Sequence, residues 1–226
     1  MPLKERQKVL ELLKSFVPEL YQKLIAADPT GKDHLAFDSD PTDASVSYSS
    51  TDGLPKLAIG KEISRNHQEE LRFILGHELG HYVLDHSENH YPLHCGLKSQ
   101  KNLTHTFTGG KKSNYLPFEE TFSLAYSRTK ENEADRFAIL TLGTSIDAAI
   151  TLFQNDGLIT EKQYTTENKP LPTAFALSHP FIEPRIAHLE NLRREVEVQK
   201  LSGVKPLPID WHALIEKHKN GTLSEF

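Results

Sequence analysis

Apolar residues recur at every third or fourth position over residues 3 to 26, which predicts a helix with one buried face. Pro18 lies inside this stretch and predicts that the helix kinks or splits. Over residues 34 to 59, short apolar stretches alternate with polar residues and turn sequences, so we expect a small sheet of two or three strands. A helical period returns over residues 67 to 86 and is the clearest in the chain.

The remaining elements are predicted from their caps, breaks and periods. Asn66 and Glu69 have the spacing of a capping box at the start of the helix over 67 to 86. Gly143 indicates the end of a later helix, and Thr144 is typical of the start of another. The predicted order after residue 86 is a long polar loop over 87 to 117, helices over about 118 to 141, 145 to 155 and 181 to 199, and a short amphipathic helix over 209 to 218.

Composition excludes several classes of protein. The chain has 226 residues and a formal net charge of −5, so we expect one domain with a sizeable core and no broad nucleic-acid surface. The single cysteine, Cys95, excludes an internal disulfide framework. The sequence has no apolar run long enough for a membrane span and no recognisable signal peptide. This predicts a soluble protein that is cytoplasmic, or exported without such a signal. The 12 histidines direct attention to metal binding.

His77, Glu78 and His81 form an HExxH motif in the middle of the clearest predicted helix. Residues four apart lie on one helix face with Cβ atoms about 5–6 Å apart, so both imidazoles can reach one Zn²⁺ at about 2.0–2.1 Å. Glu78 lies roughly 100° round the helix, where its carboxylate can take a proton from a metal-bound water that attacks a carbonyl. Gly76 and Gly80 each cost the helix about 1 kcal/mol relative to Ala, which indicates that another backbone approaches there. Two surface histidines on an ordinary helix are the plainer alternative.

A catalytic zinc needs a third protein ligand and one open position. A metzincin pattern fails, because Leu84 and Ser87 occupy the positions where that pattern has Gly and His. A glutamate from a second helix is the remaining option. Glu131 and Asp135 lie four apart on one face of a predicted helix, so Glu131 can bind the metal while Asp135 hydrogen-bonds the other nitrogen of a zinc histidine. Glu133 points elsewhere, and a solvated acidic patch is the alternative for the whole group.

Three motifs in order give the chain a family resemblance. The HExxH motif is followed by Ser127-Arg128 ahead of ExxxD at residues 131 to 135, and then by Ser178-His179-Pro180 with Arg185. Over about residues 55 to 190, this set resembles the CAAX prenyl protease type I, HtpX and BepA-like family of gluzincin peptidases. HExxH alone is shared by many metallopeptidases, whereas the set of three is much more specific.

The resemblance implies a role for each matching residue. The zinc ligands would be His77, His81 and Glu131. Glu78 would be the general base, and His179 would lie near the metal as an extra ligand or a transition-state contact. Arg185 would stabilise the oxyanion or hold the cleft together, and Asp135 would orient a zinc histidine. The segment from Pro55 to Gly60 would be an edge strand beside the cleft, where an extended peptide could pair.

We therefore predict an α+β, mainly α chain with a zincin-like metallopeptidase fold, in which a small edge sheet lies beside the active-site helix. Its predicted parts are an N-terminal helix with short strands packed on the core (1–54), a zinc metallopeptidase domain (55–200) and a C-terminal appendage (201–226). The predicted activity is zinc-dependent endopeptidase action on peptides or proteins. The chain shows no membrane helices, signal peptide or repeat array, so prenylated-protein processing and outer-membrane quality control do not carry over.

Weaker features concern the long loop. It could serve as a lid over the cleft. A second metal site is conceivable at His86, His90, His94 and His105, although ordinary loop histidines are the more common case. We expect His86 to pack or hydrogen-bond at the helix end. Cys95 could cover the zinc as a thiolate, but an ordinary loop cysteine is favoured.

Two other functions stay open at this stage. One is a catalytically silent, metal-containing binding or chaperone-like module, which the intact Glu78 disfavours because a purely structural site does not need that residue. The other is a latent protease blocked by its own loops. Limited proteolysis within 87 to 117 that switches activity on would identify the latent form. Neither the substrate nor the oligomeric state is predicted.

Overall fold

The computed structural model describes residues 1–41, 43–86, 128–155 and 182–220. The helices and strands within these ranges are α1 (Leu3–Phe16), α2 (Pro18–Ala27), β1 (Leu35–Phe37), β2 (Ala44–Tyr48), β3 (Pro55–Ile59), α3 (Gln68–Val83), α4 (128–136), α5 (146–155), α6 (Ile182–Ser202) and α7 (Trp211–Lys219). A 3-10 turn, Ile63–Arg65, precedes α3, and α4 continues into the π-helical turn Phe137–Thr141. The described chain is therefore mainly helical with one small sheet, which confirms the predicted α+β, mainly α class.

The predicted helices are confirmed wherever the structure describes them. The long N-terminal helix splits at Val17, and Pro18 becomes the first residue of α2, where a missing N–H costs nothing. Gly143 follows the π-helical turn with φ +67°, as a helix-ending glycine does. The predicted loop over 87 to 117, with Cys95, lies outside the described residues.

The predicted caps of two helices are wrong. His67, not Asn66, is the residue before α3, and no side chain caps that helix. The backbone of Asn66 instead closes the preceding 3-10 turn, so the two elements meet one residue later than the capping-box spacing with Glu69 requires. At α5, the side-chain acceptor is Ser145 Oγ, 3.2 Å from the backbone nitrogen three residues on, rather than Thr144.

The sheet has the strand order β1-β3-β2, and this corrects one prediction. β3 lies in the centre, parallel to β1 and antiparallel to β2, with Leu57 opposite both Leu35 and Val46. The segment from Pro55 to Gly60 is therefore not an edge strand. Its inward residues Pro55, Leu57 and Ile59 are all buried, so the most apolar strand takes the position with a neighbour on each side. Among the described strands, the edges are β1 and β2.

Helix α3 lies between two apolar clusters. Leu75 and Leu79 pack in a cluster with α1, α2, the sheet and α7, which contributes Trp211 and Ile215. The other side of α3 belongs to a second cluster with α5 and α6, where Leu189 is fully buried. The HExxH motif is thus held on a helix that is covered from several directions. None of the helices in the described ranges is long and apolar enough to cross a membrane. The division into three parts stays a prediction.

Candidate metal centre

Helices α3 and α4 approach each other closely at two glycines. A Cβ atom built on Gly80 would lie 3.0 Å from Ala134 Cα, and one built on Gly76 would lie 3.2 Å from Ala138 Cβ. Side chains larger than hydrogen would therefore push the two helices apart. This confirms the close backbone approach predicted from the two glycines, and it brings the histidines of α3 within reach of the carboxylates of α4.

Three ligand-type side chains converge between these helices. The Nε2 atoms of His77 and His81 are 3.0 Å apart. The two carboxylate oxygens of Glu131 lie 3.4 Å from His77 Nε2 and 3.5 Å from His81 Nε2. His77 and Glu131 are buried and His81 is partly buried. One ligand atom from each residue lies within 4.8 Å of the others, close enough for a single metal ion.

The other ring nitrogen of His77 contacts a buried carboxylate. His77 Nδ1 lies 2.8 Å from Asp135 Oδ1, and the Asp135 side chain is fully buried. Arg185 of α6 donates two hydrogen bonds of 2.8 Å to the two oxygens of this carboxylate, one from Nε and one from a terminal nitrogen. The guanidinium also lies 3.5 Å from Glu131 and 4.1 Å from the centre of the Phe153 ring. Asp135 thus contacts the second ring nitrogen of one histidine of the motif, and its role towards a zinc ligand stays a prediction.

Burial and charge shift the pKa values of this group strongly. Burial alone would raise the pKa of Asp135, but the charge and hydrogen bonds of Arg185 outweigh it and lower that pKa to about 2. For His77, burial opposes the charged form, yet the hydrogen bonds to Asp135 and Glu131 raise its pKa to about 10. Burial and the neighbouring charge of His77 lower the pKa of His81 to about 3. Without a metal, these shifts favour the charged form of His77 and the neutral form of His81.

Glu78 is buried beside the three converging side chains. Its carboxyl group makes no hydrogen bond within the described residues, and burial raises its pKa to about 7, partly opposed by the charge of His77. A carboxylate with a pKa near neutrality can exchange protons at physiological pH, which is what a general acid–base group requires.

Two residues beside His81 have contacts that the sequence did not assign. His86 Nδ1 lies 3.0 Å from His81 Nδ1, and His86 Nε2 lies 3.2 Å from Glu133 Oε2. The expectation that His86 hydrogen-bonds at the helix end is confirmed. Glu133 was expected to point away from the metal, and it is not among the three converging residues. The one feature of the sequence that could have indicated the contact between Glu133 and His86 was the position of His86 just beyond the end of α3.

His179 lies outside the described residues, and so do His90, His94 and His105. Their predicted roles stay predictions.

Comparison with protein families gives one match. A model described as Peptidase family M48 matches residues 51–193. This range contains α3, α4 and the first half of α6, and therefore every side chain of the cluster described above. No curated protein and no solved structure matches the chain.

Proposed function

Because the chain belongs to peptidase family M48, whose members are metal-dependent peptidases that typically use zinc, we propose that it is a zinc-dependent endopeptidase. We infer a zincin-like fold with the active site between α3 and α4. The single observation that carries the proposal is the convergence of His77, His81 and Glu131 beside the buried carboxyl group of Glu78.

The donor atoms suit a catalytic zinc ion. Two imidazole nitrogens and one carboxylate, with a fourth position left for water or substrate, are typical of such sites. His77 Nδ1 is engaged by Asp135, so Nε2 is the nitrogen left to face a metal, and it faces His81 Nε2 and Glu131. When bound, zinc polarises a peptide carbonyl and makes a coordinated water more acidic.

Glu78 would supply the proton transfers. As general base, its carboxylate takes a proton from the water that forms the new C–O bond. It then gives that proton to the leaving amine as the peptide C–N bond breaks. Burial raises the pKa of Glu78 to about 7 in the metal-free chain, and a bound cation beside it would favour the carboxylate, the form that a general base needs.

Asp135 and Arg185 would hold His77 in place. Of the two roles that the family resemblance implies for Arg185, its contacts favour holding the cleft together, because its guanidinium is committed to Asp135 and lies close to Glu131. His179 is proposed, from the resemblance alone, as the residue that contacts the metal or the transition state.

The substrate would be a peptide or protein bound in extended form. β2 (Ala44–Tyr48) is an edge among the described strands and packs against α3. Ser45 and Ser47 are exposed on it. We therefore move the proposed pairing site for a substrate backbone from the central strand β3 to β2.

Metal content and hydrolysis test the proposal together. We expect one zinc per chain in purified wild type, loss of zinc in Glu131→Gln, and retention of zinc in the matched variant Glu133→Gln, measured by mass spectrometry. Zinc-loaded wild type should cleave members of a fluorogenic peptide library, and Glu78→Gln should cleave them about 10²–10⁴-fold less efficiently. Equal zinc retention in both glutamate variants would contradict the site, and zinc without any cleavage would favour the silent module.

A further inference from the structure

Helix α3 ends at a left-handed residue that is not glycine. The N–H of His86 donates to the carbonyl of His81 at 2.9 Å, and the N–H of Asp85 lies 3.4 Å from the carbonyl of Tyr82. These are the two hydrogen bonds of a Schellman motif, with Asp85 in the left-handed position at φ +56°. Glycine usually occupies that position, because it lacks the Cβ that makes this conformation costly.

Asp85 is stabilised in this conformation by a side chain from another helix. Lys217 of α7 lies 2.8 Å from Asp85 Oδ2, and Asp85 is the one residue other than glycine with a positive φ in the described part of the chain. Asp and Asn tolerate the left-handed region better than most residues. A non-glycine residue kept in such a conformation beside a functional site points to a functional reason for the turn.

The turn brings two imidazoles together. A Schellman motif places the residue after the left-handed position close to the residue five positions earlier, and here those residues are His86 and His81. Their Nδ1 atoms are 3.0 Å apart and their ring centres 5.1 Å apart. The His86 side chain is only 6% exposed, and its Nε2 lies 3.2 Å from Glu133.

Proton positions along this chain of contacts are fixed by the proposed metal. If His81 binds zinc through Nε2, its Nδ1 carries the hydrogen and donates to His86 Nδ1. His86 must then carry its own hydrogen on Nε2, where it donates to the carboxylate of Glu133. Each donor meets one acceptor, so the three side chains form a continuous hydrogen-bonded series.

We propose that His86 is a positioning residue for the zinc ligand His81, placed by the left-handed turn at Asp85 and fixed in its tautomer by Glu133. This inference rests on the proposed function, since it requires His81 to bind zinc. It assigns to His86 the role towards His81 that Asp135 has towards His77. It also gives Glu133, which is not among the converging ligands, a role in the same site.

Two substitutions of His86 test the proposal. His86→Asn keeps an acceptor near the position of Nδ1, whereas His86→Leu removes it at similar size. Measured by competition with a chromophoric chelator, zinc affinity should fall by about tenfold or more in His86→Leu and by no more than about threefold in His86→Asn. The visible spectrum of the cobalt-substituted protein should change in the leucine variant only. Equal affinity of wild type and His86→Leu, or equal loss in both variants, would overturn the inference.

A measurement on the wild type avoids any effect of substitution on folding. In zinc-loaded protein labelled with ¹⁵N at histidine, the ring nitrogen shifts should show His86 protonated at Nε2 and bare at Nδ1. Protonation of His86 at Nδ1 would overturn the inference while leaving the metal site in place. A wild-type chain that binds no zinc would overturn the proposed function as well, so the two failures are distinguishable.

Discussion

The two histidines of the HExxH motif are supported in different ways. His77 contacts Asp135, whose side chain is 0% exposed and receives two hydrogen bonds from Arg185. His81 contacts a second imidazole, His86, which in turn contacts a carboxylate that is 53% exposed. We call the first set the buried support and the second the exposed support.

The two supports differ because they involve residues on different faces of α4. Glu131 and Asp135 lie on the face of α4 that meets α3, whereas Glu133 lies on its exposed flank and reaches the site through His86. Charges that are shielded from water interact strongly, while exposed charges are weakened by solvent and salt. The buried support should therefore determine stability and pKa values, and the exposed support should adjust the orientation of one ligand.

Glu78 belongs to neither support, and its removal gives the largest expected effect. Glu78→Gln should lower kcat/KM for a cleaved fluorogenic peptide by about 10²–10⁴-fold, the usual contribution of general acid–base catalysis. Zinc content should stay at one per chain, because both supports and all three ligands are intact. Near-wild-type hydrolysis by the glutamine variant would contradict the assigned base.

A matched pair of acid-to-amide substitutions compares the supports directly. Asp135→Asn leaves the buried charge of Arg185 without its main partner, and breaking a buried pair costs about 3–5 kcal/mol. Glu133→Gln alters a contact at a half-exposed carboxylate, where the cost is about 0–1 kcal/mol. Urea unfolding of the metal-free proteins measures both. Similar losses in the two variants would show that the supports do not differ in the way that their burial indicates.

The sequence predicted which side chains share a helix face, because that arrangement is local. Helical periodicity places His77 and His81 on one face, and the same periodicity groups Glu131 with Asp135. The glycine spacing also predicted that a second backbone approaches. All of these depend on residues within one turn of each other, which is the range over which helical geometry is fixed.

Features that depend on distant partners or on alternative turns were not predicted. The central position of β3 depends on pairing with β1 and β2, which no local pattern specifies. The left-handed conformation of Asp85 depends in part on Lys217, which is more than one hundred residues away in the chain. Helical periodicity alone places Glu133 on a different face of α4 from Glu131 and Asp135, so it does not predict the contact of Glu133 with His86.

Gly80 tests whether both supports depend on the same helix contact. Gly80→Ala should lower the free energy of unfolding by about 1–3 kcal/mol, because the added Cβ would lie 3.0 Å from a backbone atom of Ala134. Separating α3 from α4 should also weaken zinc binding through both supports at once. Urea unfolding and chelator competition measure the two effects. A more stable alanine variant, as helix propensity alone predicts, would contradict the close contact.

The pH dependence of the metal-free protein distinguishes the two histidines. The pKa of His77 is raised from 6.5 to about 10, so its charged form stabilises the fold fully below pH 6.5. That stabilisation is lost as the pH rises through 10, with a slope of at most about 1.4 kcal/mol per pH unit. The raised pKa of Glu78, about 7, confines its own contribution mainly to lower pH.

Between pH 7 and 10, the free energy of unfolding measured in urea should therefore fall more steeply in wild type than in His77→Gln. The matched variant His81→Gln should keep the wild-type slope, because the lowered pKa of His81 leaves it neutral throughout this range. If both variants flattened the curve equally, the proton would be shared between the imidazoles rather than held by the buried support.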